Sequence, residues 1–167
     1  MAEKSLILTH QQINQKIKRI AFEIYENNFL EKEIILAGIH QQGYSFANLL
    51  KDELGKIAPF TIKLVGITLD KQAPTQSSIT LDCDEGQLKN KAIILIDDVS
   101  NTGKTMAYSL KPFLNLKIKK IETAVLVNRS HPNFPISIQY SGYELATTIK
   151  DHVEVQLLGK KKAVYLL

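Results

Sequence analysis

The chain has 167 residues, of which 44% are hydrophobic and 23% are charged, and it carries a formal net charge of +4. This length and composition fit one globular domain, and no apolar run approaches the ~20 residues that a membrane span requires. We therefore exclude a transmembrane protein and expect a single domain over residues 1–167 in the cytoplasm. The modest positive charge suits a phosphorylated metabolite or a nucleic acid as partner and does not decide between them.

Two further features agree with a cytoplasmic location. The single cysteine, Cys83, cannot form an internal disulfide, which fits a reducing compartment. The apolar residues 5–8 are too few for the core of a signal peptide.

His10 and His152 have no cysteine or carboxylate partners at metal-ligand spacing, so no zinc site is predicted.

The first part of the chain alternates between predicted helices and strands. Thr9 and Gln12 form a capping-box pattern, and isoleucines then recur at helical spacing, which predicts an amphipathic helix. The next apolar run is continuous, as in a strand that is covered on both faces, and Gly55 is predicted to end the helix after it. The predicted elements are a helix over residues 10–28, a strand over 34–39, a turn over 40–43 and a helix over 44–54.

A polar stretch follows the second predicted strand, at residues 60–69. Residues 70–90 contain Pro74 and Gly86 and show little helical period. A loop of ~20 residues in a compact domain is usually functional or carries a hairpin. We therefore predict a lid over residues 70–90, with a short hairpin around residues 78–81.

The second half of the chain again alternates between strands and helices, which predicts a parallel sheet with helices on both faces. A central strand is predicted over residues 91–98, a helix over 103–114 and a strand over 121–128. Short strands are predicted over residues 136–140, 145–149, 153–158 and 163–166, and the last two are suited to a hairpin.

The segment 93–105 carries the strongest chemical signal. Gly103-Lys104-Thr105 looks like the end of a nucleotide P-loop, but that motif requires glycine where Asp98 stands. Small polar residues before a helix can instead bind an anion, and two aspartates at a strand end can bind sugar hydroxyls or a hydrated Mg²⁺. The combination indicates a site for ribose 5-phosphate, and a plain strand-to-helix connection is the alternative.

This segment resembles the signature of the type I phosphoribosyltransferases, in which an apolar strand precedes Asp/Glu-Asp, two or three variable residues and Thr-Gly-x-Thr. The matching residues are Asp97-Asp98-Val99-Ser100-Asn101-Thr102-Gly103-Lys104-Thr105. Residues 19–24, 36–39 and 124–131 are similar, in the same order, to one branch of the family, which combines a pyrimidine operon attenuator with a uracil phosphoribosyltransferase. The resemblance covers nearly the whole chain.

The resemblance implies an α/β fold with a central, mostly parallel sheet, flanking helices and a flexible hood over residues 70–90. It also implies transfer of a 5-phosphoribosyl group from phosphoribosyl pyrophosphate (PRPP) to a nucleobase, with Mg²⁺ as cofactor and release of pyrophosphate. Uracil is the favoured base. A homodimer or larger homo-oligomer is expected.

The resemblance further assigns roles to residues of four groups. Asp97 and Asp98 form the catalytic pair that holds the ribose hydroxyls, and Asp97 orients the Mg²⁺ through water. The 5-phosphate loop is Asn101, Thr102, Gly103, Lys104 and Thr105. The pyrophosphate loop is His40, Gln41, Gln42 and Gly43, and the base-binding segment is Val127, Asn128 and Arg129.

Asn101 bears on the choice of base. In purine-type members an aspartate at this place contacts the base and can take its proton, which asparagine cannot do. Chemistry of that kind on purines is therefore disfavoured.

Other departures from the resembling branch leave alternatives open. Gln41-Gln42 replaces a basic sequence, so pyrophosphate binding lacks a countercharge unless Lys71 or the metal supplies it. The positions that this branch uses for RNA retain Arg19 and His131, and the others lack cations, which disfavours RNA binding. The remaining alternatives are a pyrimidine-responsive RNA-binding regulator and a protein that binds nucleotide or PRPP without turnover. The positions without cations are Phe22, Pro132, Ser137 and Tyr143.

Overall fold

The computed structural model describes residues 3–75 and 78–167. The strands are β1 (Ser5–Leu8), β2 (Glu33–Ile39), β3 (Thr61–Thr68), β4 (Thr80–Leu81), β5 (Ala92–Ser100), β6 (Lys120–Asn128), β7 (Tyr140–Glu144), β8 (Val153–Gln156) and β9 (Ala163–Leu166). The helices are α1 (His10–Asn28), α2 (Gln42–Ile57), α3 (Lys104–Ser109) and α4 (Lys111–Leu114), and a 3₁₀ turn spans Glu85–Leu88.

A six-stranded sheet in the order β4-β3-β2-β5-β6-β7 forms the centre of the fold. Its neighbouring strands are parallel except for β4, which runs antiparallel to β3. A second sheet, in the order β1-β9-β8, is antiparallel throughout. The predicted α/β fold with a mostly parallel central sheet is confirmed.

The central strands are buried on both faces, which explains their continuous apolar sequences. On one face Ile34, Leu36 and Ile94 pack in a core with the apolar sides of α1 and α2. On the other face Ile35 and Ile93 pack in a second core with α3, α4 and the 3₁₀ turn. The sheet therefore carries helices on both faces, as the alternation of elements predicted.

Two of the helix predictions need correction. The helix α2 continues through Gly55 to Ile57, because Gly55 has a negative φ and faces open space. It ends at Ala58, which is extended, and this agrees with the restriction that Pro59 places on the residue before it. The helix predicted over 103–114 is divided at Leu110, because Pro112 has no N–H to continue the hydrogen bonds.

Three strand predictions also need correction. The two strands predicted at 136–140 and 145–149 are replaced by a single strand, β7, which lies between these two ranges and starts at Tyr140. It pairs in parallel with β6. A Cβ added to Gly142 would lie 2.6 Å from the carbonyl oxygen of Leu126, so this tight pairing needs glycine. The strand β1 was not predicted. The predicted hairpin of the last two strands is confirmed as β8 and β9.

The predicted lid has more structure than a loop. The short hairpin predicted around residues 78–81 is replaced by β4, which pairs with the end of β3 outside the lid, Leu81 with Ile67 and Thr80 with Thr68. Residues 76 and 77 of the predicted lid lie outside the described residues. Within the described ranges, no helix has the length and apolar character needed to cross a membrane.

Candidate active site

The predicted site residues converge at the carboxyl ends of β2, β5 and β6. Ligands of open α/β sheets commonly bind at this edge. A cavity of about 240 Å³ opens there, and its wall is formed by residues 97–106 together with Lys71, Arg129, His152 and Val153. The predicted catalytic pair and the predicted 5-phosphate loop therefore share one cavity.

Glycine determines the shape of the predicted 5-phosphate loop. Gly103 has a φ of 82°, in the left-handed region that other residues rarely adopt. The carbonyl of Thr102 accepts a hydrogen bond from the N–H of Asn133 at 2.8 Å, and the Thr102 hydroxyl accepts one from the N–H of Lys104 at 3.3 Å. These contacts fix the loop where β5 leads into α3.

An ion pair between a buried aspartate and a partly exposed lysine lies beside this loop. Asp97 is 1% exposed, and the ammonium of Lys71 lies 2.9 Å from its Oδ1 and 3.7 Å from Oδ1 of Asp98. Burial and the charge of Asp98 raise the pKa of Asp97 well above its ordinary value, although Lys71 opposes the shift. Burial acts to lower the pKa of Lys71, but the two aspartates outweigh it and raise that pKa.

The predicted pyrophosphate loop, which follows β2, packs against the predicted catalytic pair. A Cβ added to Gly43 would lie 2.8 Å from Oδ1 of Asp97, so the main chain approaches the carboxylate closely. His40 donates its N–H to the carbonyl of Ile67 at 2.9 Å, and its ring stacks on Tyr44. The peptide bond from His40 to Gln41 is cis. None of the four residues His40, Gln41, Gln42 and Gly43 forms part of the described cavity wall.

In the predicted base-binding segment, the side chains are already buried or hydrogen-bonded within the protein. Val127 is fully buried in the core. The amide of Asn128 donates to Glu144 at 3.2 Å and accepts from the N–H of Ser130 at 3.1 Å. Of the three predicted residues, only Arg129 lines the cavity. A base contact from Val127 would have to use its main chain.

Arg129 holds the segment that precedes β8. Its Nε donates to the hydroxyl of Thr147 at 3.0 Å, and its Nη2 donates to the carbonyls of Thr148 at 3.1 Å and Asp151 at 2.7 Å. His131 contacts the carbonyl of Thr147 at 2.8 Å. We call residues 147–151 the anchored loop. Sequence reasoning missed it, since no motif links Arg129 to residues about twenty positions further along.

His152 and Val153 are further cavity residues that were not predicted as part of the site. They follow the anchored loop and enter the cavity wall at the start of β8. The main chain of His152 is fixed by reciprocal hydrogen bonds with Leu167, at 3.0 and 2.8 Å. Only the register of this C-terminal hairpin could have indicated their position.

The carboxylates suit a Mg²⁺ that is bound together with substrate. Within residues 3–75 and 78–167, no group of three or more histidine, cysteine or acidic side chains is arranged for a metal. Mg²⁺ at phosphate-transfer sites usually takes one or two carboxylates, and water and substrate oxygens complete its shell. The Lys71 ammonium beside Asp97 demonstrates that this position accommodates a cation. The pair therefore fits the predicted metal.

Comparison with known proteins agrees with this geometry. A family model described as a phosphoribosyl transferase domain matches residues 4–159. The protein called bifunctional protein PyrR from Alkaliphilus metalliredigens is 32% identical, over 99% of this chain and 96% of its own length. The protein of that name from Bacillus pumilus is also 32% identical, over 94% of this chain and 92% of its own length.

Solved structures share the fold at lower identity. A hypoxanthine-guanine phosphoribosyltransferase from Bacillus anthracis superposes with a TM-score of 0.71 at 18% identity, over 87% of this chain and 84% of that one. The hypoxanthine phosphoribosyltransferase of Trypanosoma cruzi gives 0.72 at 17% identity, over 84% and 81%. The family model spans most of the residues, and we conclude that this chain belongs to the phosphoribosyltransferases, a family of pentosyltransferase enzymes.

Proposed function

We propose that this protein transfers a 5-phosphoribosyl group from PRPP to a nucleobase, with uracil as the favoured acceptor, and releases pyrophosphate. The observation that carries the proposal is the shared cavity of the Asp97–Asp98 pair and the loop at residues 101–105. Carboxylates that accept ribose hydroxyls, next to a loop that accepts a phosphate, match the two ends of a ribose 5-phosphate.

The chain acts mainly by positioning and by charge. Asp97 and Asp98 hold the ribose hydroxyls, and the loop fixes the 5-phosphate, so that the ribose carbon bearing pyrophosphate is held in a defined orientation. The bond from this carbon to the pyrophosphate oxygen breaks, a bond to the base nitrogen forms, and the base loses the proton of that nitrogen. The two carboxylates stabilise the positive charge that develops on the sugar ring.

Mg²⁺ is the proposed cofactor. When bound, it supplies positive charge for the pyrophosphate group, and Asp97 with Asp98 would hold it through water. Asp97 is the stronger candidate because it is the more deeply buried carboxylate and already has a cation beside it.

The choice of uracil is supported by the side chain of Asn101. It lies in the cavity wall, at the place where purine-type members use an aspartate. The solved structures named above are hypoxanthine enzymes, and so hypoxanthine is the competing acceptor. Strong activity on hypoxanthine, with none on uracil, would overturn this choice.

RNA binding is the second candidate function. The two side chains retained at the expected RNA-contact positions already contact other parts of the protein, and this argues against RNA binding. Arg19 pairs with Glu23 at 2.6 Å and donates to the carbonyls of Ser141 and Gly142 at 3.1 and 2.8 Å. His131 contacts Thr147. Both retained residues therefore already have partners within the protein. A gel shift with a pyrimidine-operon leader RNA tests this, and tight, salt-sensitive, sequence-specific binding would restore RNA as the leading partner.

A panel of nucleobases tests the transferase proposal directly. Each base is incubated with PRPP and Mg²⁺, and the release of pyrophosphate is measured. We expect uracil to be the best acceptor and the double variant Asp97→Asn/Asp98→Asn to lose at least about 100-fold in rate. Asp52→Asn, at an exposed position of α2 outside the predicted lid, is the matched control and should retain the rate. Full activity of the double variant would mean that the reaction occurs elsewhere.

Sedimentation of the same samples tests the proposed homo-oligomer.

A further inference from the structure

The ammonium group of Lys71 occupies the aspartate pair. Its Nζ lies 2.9 Å from Oδ1 of Asp97, 3.2 Å from Oδ2 of Asp97 and 3.7 Å from Oδ1 of Asp98. Lys71 follows β3 in the segment predicted to be the hood, whereas both aspartates belong to β5. One side chain thus connects the predicted hood with the group proposed to hold ribose.

This contact uses most of the hydrogen-bonding capacity of Asp97. Both of its carboxylate oxygens accept from Lys71, and Oδ1 also accepts from the N–H of Asp98 at 2.9 Å. The main chain at Gly43 closes a further side of the same oxygen. A carboxylate oxygen has only two lone pairs, so a ribose hydroxyl or a hydrated cation at Asp97 competes directly with Lys71.

Burial explains why a cation is needed there in the free protein. Asp97 is almost completely buried next to a second carboxylate, and an unpaired charge at such a position is strongly unfavourable. The Lys71 side chain keeps 38% of its surface exposed, and lysine has a flexible stem with three rotatable donors. The ammonium can therefore leave Asp97 without disturbing the core.

A bound pyrophosphate group would provide a new partner for the displaced Lys71 ammonium. The predicted pyrophosphate loop contains Gln41 and Gln42, which offer amides and no positive charge. The guanidinium of Arg129 is held by the anchored loop. A pyrophosphate group bound in the cavity would attract Lys71, whose described hydrogen bonds are to Asp97 and not to main-chain carbonyls. The other lysine of the wall, Lys104, belongs to the predicted 5-phosphate loop.

We propose that Lys71 is an exchangeable countercation, which neutralises Asp97 and Asp98 in the free protein and moves to the pyrophosphate group when ribose and a divalent cation replace it. This inference rests on the proposed phosphoribosyl transfer and adds a binding residue to the same site. It predicts opposite effects of Lys71 on two ligands, since the lysine competes with the metal and attracts the pyrophosphate.

Binding of Mn²⁺ alone tests the first half. Mn²⁺ affinity for the free protein is measured by electron paramagnetic resonance at pH 8. Lys71→Gln should bind Mn²⁺ about tenfold more tightly than the unmodified protein, because a partly buried competing charge is removed. Lys160→Gln removes an equal charge from an exposed turn and should have no effect. Equal or weaker Mn²⁺ binding by Lys71→Gln would overturn the proposal.

Binding of pyrophosphate tests the second half. Calorimetric titration with pyrophosphate at saturating Mn²⁺ should show about tenfold weaker binding to Lys71→Gln, whereas Lys71→Arg should stay close to the unmodified protein because it keeps the charge. Unchanged pyrophosphate affinity of Lys71→Gln would also overturn the proposal.

Two controls separate this inference from the proposed function. The variant Asp97→Asn/Asp98→Asn should abolish Mn²⁺ binding, and retained binding would mean that Mn²⁺ occupies another site and would overturn the exchange. Both measurements are of binding and need no turnover. The protein could fail to release pyrophosphate with every base of the panel, while Lys71→Gln still changes the affinities for Mn²⁺ and pyrophosphate in opposite directions. That result would support the exchange and reject the transferase activity.

Discussion

The guanidinium of Arg129 donates a hydrogen bond to the main-chain carbonyl of Asp151 at 2.7 Å, and this contact connects the end of β6 to the loop that leads into β8. Arg129 is 5% exposed, so its charge is stabilised chiefly by the anchored loop. The contact also places His152 and Val153 in the cavity wall. Arg129 therefore shapes the site by holding main chain, in addition to lining the cavity.

Arg129→Lys is expected to release the anchored loop. Lysine cannot reproduce the planar fork that reaches Thr147, Thr148 and Asp151 together. We expect the amides of residues 147–151 to lose protection from hydrogen exchange and KM for the base to rise by about tenfold or more, with a smaller change in kcat. Hydrogen exchange with mass spectrometry and steady-state kinetics measure these effects.

Arg19→Lys provides the matched control for that variant. Arg19 also donates to two main-chain carbonyls, those of Ser141 and Gly142, but at a distance from the cavity wall. It should leave exchange in the anchored loop and KM unchanged. Equal effects of the two substitutions would mean that the loss is not specific to the anchored loop.

Gly103→Ala is expected to distort the 5-phosphate loop. With φ at 82°, alanine at this position should reduce the free energy of unfolding by about 1–2 kcal/mol and weaken PRPP binding. Gly55→Ala is the opposite case, because Gly55 lies inside α2 and faces open space. It should increase the free energy of unfolding by about 0.5–1 kcal/mol. Urea unfolding and PRPP titration distinguish the two, and a stabilised Gly103→Ala would contradict the loop geometry.

The proximity of the two aspartates to the predicted 5-phosphate loop could be predicted from the sequence because these residues are contiguous. Residues 97–105 form one strand end and one turn, so their order along the chain already places them together. The same reasoning worked for the apolar strands β2 and β5, whose continuous hydrophobic sequences require cover on both faces.

The parts that sequence reasoning missed depend on contacts between distant segments. The strand β7 was misplaced because Gly142 marks a close approach to Leu126 in the neighbouring strand, whereas glycine in a single sequence suggests a turn. Likewise, nothing local to Lys71 indicates that it pairs with Asp97, 26 positions away. Side-chain partners across strands follow from the register, which the sequence alone does not specify.

Tyr140 is expected to make stability depend on alkaline pH. Its hydroxyl donates to Glu122 at 2.8 Å inside the core, and burial followed by the contact with Glu122 raises its pKa. Above about pH 10 the unfolded chain loses this proton and the folded protein retains it, so the free energy of unfolding falls by up to about 1.4 kcal/mol per pH unit. The free energy of unfolding of Tyr140→Phe should decline less steeply with pH. Tyr108→Phe is the control and should follow the unmodified protein. Urea unfolding between pH 9 and 11 measures it, and parallel curves for all three proteins would contradict the assignment.

Asp97→Asn is expected to stabilise the protein while it abolishes transfer. Burial, and then the charge of Asp98, raise the folded-state pKa of Asp97, so its ionised form destabilises the folded state. The stabilising contribution of the protonated form is complete below the unfolded-state pKa of about 4 and is lost as pH rises through the raised folded-state pKa. At pH 8 the asparagine variant should therefore have a higher melting temperature than the unmodified protein, and the difference should shrink as pH falls toward 4. Asp84→Asn, at an exposed position, is the control and should show no such trend. A melting temperature that falls on substitution at pH 8 would mean that the Lys71 ion pair outweighs the burial of Asp97.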